Sequence, residues 1–181
     1  DAICTWMHAY EDTDLWSQTW TPTTNYTLNG WQLARYDRPG GRSFTAESGI
    51  RADQYISGSV DLPSLAEMFD PAGAPNPDGR KYDDAHICVL MLGTNDSSFR
   101  QTQDVIDDLE TIADRMLANN TIVIFSTLPP RRGKISIIES YNAGIRALAQ
   151  AKKMPLIDFY EEIMRRRPGD TWDGTLIASD G

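Results

Sequence analysis

Residues 87–92 read Ile-Cys-Val-Leu-Met-Leu, an unbroken apolar run closed by Gly93 and the polar triplet Thr94-Asn95-Asp96. No other stretch restricts the fold so tightly. An apolar run this short suits a strand buried on both faces, as inside a parallel sheet. Gly93 ends the strand, and the triplet becomes a turn at its carboxyl end, the edge where open α/β sheets bind ligands. Asn95 can present an amide N–H to substrate there. Asp96 can cap the turn or the next helix through its carboxylate.

The sequence beyond this turn alternates in period. Val105, Ile106, Leu109, Ile112, Ala113, Met116 and Leu117 recur at helical spacing, opposite Asp107, Asp108, Glu110, Asp114 and Arg115. That pattern predicts an amphipathic helix over 102–118, closed by Asn119-Asn120. Thr121 to Thr127 is β-branched and apolar, hence a second buried strand. Leu128-Pro129-Pro130-Arg131-Arg132-Gly133 is a loop at its carboxyl end, beside the first turn. Ile138, Tyr141, Ile145, Leu148 and Ala149 predict a helix over 135–152, followed by a strand near 154–158. A short helix over Tyr160–Arg167 stops at Pro168-Gly169. Strand and helix in strict alternation require right-handed crossovers and a parallel sheet.

The sequence before residue 86 is less regular. Leu15 to Trp20 alternates loosely, as a strand would. Thr21 to Gly41 reads as a long surface excursion with a hairpin at Asn29-Gly30. Its neighbourhood holds Trp16, Trp20, Tyr26, Trp31 and Tyr36, which anchor a loop to the body or stack on a sugar or acyl group. Gly49 precedes a helix beginning near Ala52, and Leu62, Leu65, Ala66 and Phe69 have helical spacing. Asp70 to Arg80 is Pro- and Gly-rich loop. His86 stands at the entrance of the central strand, opposite the end carrying Asn95, which makes it a poor general base.

A length of 181 residues suits one domain. A net charge of −9 argues against nucleic acid, whose phosphates require a basic face. The basic clusters Arg131-Arg132 and Arg165-Arg166-Arg167 read as solvated surface or the carboxyl end of a helix. No apolar run approaches the ~20 residues of a membrane span. Two His and two Cys, all scattered, make no metal-binding pattern. Cys88 fits a small buried hydrophobe. Whether it pairs with Cys4 is open.

Gly93-Thr94-Asn95-Asp96 behind a buried strand resembles the third block of the SGNH (GDSL-type) hydrolases, esterases and lipases. Gly49, in a loop before a helix, resembles the second block. Asp180-Gly181 resembles the start of the last block, Asp-x-x-His. The resemblance spans about residues 43–181. It implies a three-layer α/β/α sandwich around a parallel sheet, of flavodoxin-like topology. It also implies ester hydrolysis by a Ser-His-Asp mechanism, with Asp180 as the triad acid and Gly49 and Asn95 as oxyanion donors. Gly93, Thr94 and Asp96 support the turn. No metal or other cofactor is implied. The implied partner is a small-molecule or carbohydrate ester, with acetylated sugars the favoured class.

Gly-Asp-Ser, the family's first block, occurs nowhere in the sequence. The His of the last block would fall two positions past Gly181. The expectation is therefore a single catalytic domain clipped at both ends, with nucleophile and base outside residues 1–181. A secreted or periplasmic setting fits, any signal peptide also lying outside. The alternative is a non-catalytic carbohydrate-binding or interaction module on the same fold. A flavodoxin-type cofactor domain is disfavoured, because no phosphate loop follows any strand.

Overall fold

The computed structural model describes residues 26–28, 31–33, 49–59, 63–69, 86–169 and 172. Strands β1 (Tyr26–Leu28) and β2 (Trp31–Leu33) pair antiparallel, with Tyr26 opposite Leu33 and Leu28 opposite Trp31. Only Asn29 and Gly30 lie between them, the turn pair that favours a two-residue hairpin. Two short helices follow, α1 (Ala52–Ser57) and α2 (Leu65–Met68). Ser64 caps α2: its hydroxyl accepts from the Glu67 N–H, and Glu67 reaches back to the Ser64 N–H.

The body is a parallel sheet of β3 (Ile87–Leu90), β4 (Ile122–Ser126) and β5 (Leu156–Ile157), in the order β3-β4-β5. Helix α3 (Thr102–Ala118) connects β3 to β4, helix α4 (Ile135–Lys152) connects β4 to β5, and α5 (Phe159–Arg166) follows. Each strand is shorter than its apolar run, since Met91 and Leu92 continue past the ladder. Helices α3 and α4 keep the bounds their periodicity predicts, and α5 starts and ends one residue before its expected bounds. Val105, Leu109, Ile112, Ala113 and Met116 form the buried stripe of α3. Burying each large side chain of such a stripe contributes about 1.5–3 kcal/mol, which fixes the rotation of the helix. Lys153 ends α4 in the left-handed conformation at φ 54°, its N–H donating to the Gln150 carbonyl.

Sequential strand order places α3 and α4 on one side of the sheet, where they touch each other and β4. Leu90, Val123 and Phe125 are buried there, and Cys88 packs against the same core. Cys88 is a free thiol, pushed up to about 11 by burial. The opposite side departs from the expectation of a doubly buried strand. Ile87, Val89 and Ile122 are 59%, 55% and 55% exposed. Register explains why they align: Ile87 lies beside Ile122 and Val89 beside Ile124. Cys4 and the stretch Leu15–Trp20 lie outside the described residues. Among the described residues no helix is long and apolar enough to cross a membrane, and no cluster of His, Cys, Asp and Glu could hold a metal ion.

Candidate active site

The carboxyl edge of the sheet gathers two loops and the segment that leads into α1. The first leaves β3 through Gly93, whose φ is +129°. A Cβ there would lie 3.2 Å from Leu128 Cδ1 and 3.4 Å from Val105 Cγ1. Left-handed backbone and lack of space together demand glycine. The chain then makes one 3-10 turn, Asn95–Ser98.

Asn95 and Asp96 both reach back to the segment around residue 50. Asn95 Nδ2 donates to the Ile50 carbonyl at 3.0 Å. Ile50 is the neighbour of Gly49, so the two expected oxyanion donors are brought to the same edge. Gly49 is exposed, with φ +81°, and nothing stands within 4 Å of where its Cβ would be. An amide nitrogen has two N–H groups. The bond to Ile50 uses one and leaves the other for a ligand.

Asp96 departs from the local role expected of it. It caps neither its own turn nor α3. Both carboxylate oxygens accept from the Ala52 N–H, at 3.2 and 3.1 Å, so Asp96 caps the start of α1 from 44 positions away. Arg100 Nη1 donates to Asp96 Oδ1 at 3.1 Å and also binds Asp108, with Asp53 at 3.8 Å. Asp96 is 0% exposed. Burial pushes its carboxyl above the usual range, against the downward pull of the Ala52 N–H and Arg100.

The second loop follows β4. Asn142 on α4 is buried and binds Leu128 twice, accepting from its N–H at 2.7 Å and donating to its carbonyl at 3.0 Å. Arg131 Nη1 then donates to the Thr94 carbonyl at 2.8 Å and to Ser97 Oγ at 2.9 Å. Arg131 is therefore a brace across the turn rather than solvated surface. The signal for it is positional: β3 and β4 are parallel neighbours, so the loops at their carboxyl ends meet. Asn142 gave no sequence signal beyond lying on the apolar stripe of its helix.

Ser97 Oγ donates to the Thr94 carbonyl at 2.7 Å. His86 is exposed at the far end of β3. Asp180 and His8 lie outside the described residues.

Comparison with known proteins gives the family. The model of the GDSL-like lipase/acylhydrolase family matches residues 13–177. The chain belongs to that family. The match begins thirty residues before the motif resemblance and stops before Asp180. Among solved structures, a GDSL-like lipase from Bacteroides thetaiotaomicron is 20% identical with a TM-score of 0.51, covering 68% of this chain and 57% of its own. A carbohydrate esterase family 3 protein from Talaromyces cellulolyticus is 20% identical with a TM-score of 0.46, covering 75% of this chain and 59% of its own. The chain thus spans under two thirds of either. No curated protein matches it.

Proposed function

We propose that this GDSL-like chain forms the greater part of the catalytic domain of a serine-type ester hydrolase. The observation that supports it is the Asn95–Ile50 hydrogen bond, which sets a side-chain amide beside the exposed, left-handed Gly49 at the carboxyl edge of the sheet. In this reading both groups supply N–H donors to a tetrahedral oxyanion, each worth about 3 kcal/mol in the transition state.

In this reading a serine attacks the ester carbonyl while a histidine accepts its proton. The carbonyl oxygen becomes an oxyanion held by Gly49 N–H, the Asn95 amide and the nucleophile's own N–H. The histidine then gives the proton to the leaving alcohol, and water cleaves the acyl-enzyme by the same steps. Asp180 orients the histidine and stabilises its charged form. Nucleophile and base come from outside residues 1–181. Gly-Asp-Ser is absent from the sequence, and His86 stands at the wrong end of β3. Ser97 is committed to Thr94 and Arg131.

Turnover of p-nitrophenyl acetate by the 181-residue chain is compared with that of a form extended at both ends. Activity confined to the extended form is expected. Equal turnover by both would place the nucleophile and base inside residues 1–181. No turnover by a folded extended form would leave a binding module.

A further inference from the structure

Beside the Asn95 turn lies a hollow of about 370 Å³ lined by Ser97, Gly133, Lys134, Ser136, Ile137 and Ser140. Small-molecule sites run from about 300 to 1,000 Å³, so this one is sized for a single ring rather than a long chain. Its wall is polar. Three serines and one lysine line it, and Ile137 is the only large apolar side chain. A fatty acyl group would cover the Ser136 hydroxyl and the Lys134 ammonium without giving either a partner, which costs binding energy.

The hydroxyls are not equally free. Ser97 is held by Thr94 and Arg131, and Ser140 Oγ donates to the Ser136 carbonyl at 3.1 Å. The Ser136 hydroxyl and the Lys134 ammonium have no partner among the described residues. Arg131, bound through Nη1 to Thr94 and Ser97, adds a second positive charge beside Ser97. This is a local cationic site in a chain of net charge −9.

We infer that this hollow is the leaving-group subsite and that it takes a single sugar ring bearing a carboxylate, with Lys134 on the carboxylate and Ser136 and Ser140 on ring hydroxyls. The inference rests on the esterase reading for the word leaving-group, but the sugar site stands or falls separately. Ser97 ties the hollow to the site, being two residues past Asn95 in the same turn.

The test titrates the full-length protein with methyl β-D-glucuronide, methyl β-D-glucoside and the uncharged 1-octanol, following backbone amide resonances. The glucuronide is expected to move the amides of Ser97 and residues 133–140. The glucoside should bind about tenfold more weakly, and 1-octanol should leave those amides in place. Lys134→Gln should reduce glucuronide affinity to the glucoside level, and Ser136→Ala should weaken both sugars alike. Shifts with 1-octanol, none with glucuronide, or glucuronide affinity unchanged by Lys134→Gln would each overturn the proposal. Hydrolysis of p-nitrophenyl acetate is measured in parallel. Sugar binding without hydrolysis sinks the esterase reading alone; hydrolysis without sugar binding sinks the subsite alone.

Discussion

Both carboxylate oxygens of Asp96 lie within 3.2 Å of the Ala52 nitrogen, fastening the start of α1 to the turn that carries Asn95. The same clasp sets Gly49 near Asn95. Asp96→Ala is expected to leave Ala52 N–H and part of the Arg100 charge without a partner. Arg100 keeps Asp108, so the cost should be about 2–3 kcal/mol, toward the low end for breaking a buried pair. Urea unfolding measures it. A loss below about 0.5 kcal/mol would mean that the clasp is not a structural support.

Asn95→Ala tests the oxyanion assignment. In the form carrying nucleophile and base, kcat on a small acetyl ester should fall about 100-fold or more, with KM little changed. The donor acts mainly on charge that exists only in the transition state. A circular dichroism spectrum and melting point near the parent's should accompany the loss. An unchanged kcat would reduce Asn95 to a turn residue.

Gly93→Ala combines two penalties, a side chain at φ +129° and a contact of 3.2 Å with Leu128 Cδ1. The expected destabilisation is about 2 kcal/mol, read from the shift in the urea midpoint. Leu128→Ala in the same chain should recover the steric part only, leaving the backbone part in place.

Acid should loosen the β5 side of the sheet. Asp158 binds Arg146 through both oxygens, at 2.7 and 2.9 Å, and accepts from Thr127 Oγ1 at 3.0 Å. The Arg146 guanidinium holds its carboxyl below the ordinary value of 3.8. A carboxyl depressed on folding contributes stability above its unfolded value and loses it as pH falls through the folded one. The melting-point gap between the parent and Asp158→Asn should therefore be present at pH 7 and shrink below about pH 4. A constant gap from pH 7 to pH 2 would assign the loss to hydrogen bonding alone.

Much of the body was legible because periodicity is a local property. Thr102–Ala118 and Ile135–Lys152 follow from apolar spacing, and the hairpin follows from Asn29-Gly30. Gly93-Thr94-Asn95-Asp96 located the turn because glycine there answers to backbone geometry. Partners far apart in the chain were not legible. A carboxylate in a turn announces itself as a local cap, and nothing local marks Ala52 as its target. Arg131 was read as surface because charge in a loop carries no record of which carbonyl it meets. The exposed Ile87 and Val89 reflect the same limit, since an apolar run declares what should be covered but not by what.

The β3-β4-β5 order has a kinetic side. Within residues 87–166 the strands pair in chain order, and α3 and α4 pack on each other and on β4, so that half closes through short connections. The Asn95–Ile50 bond joins residues 45 apart. A longer loop costs more entropy to close, and contacts of this span tend to form after local ones. The clasp can therefore open while the sheet stands, at less than the free energy of unfolding the whole. Oxyanion donors assembled across such a seam would exist only while it is shut, so the catalytic geometry would have its own melting curve, below that of the fold.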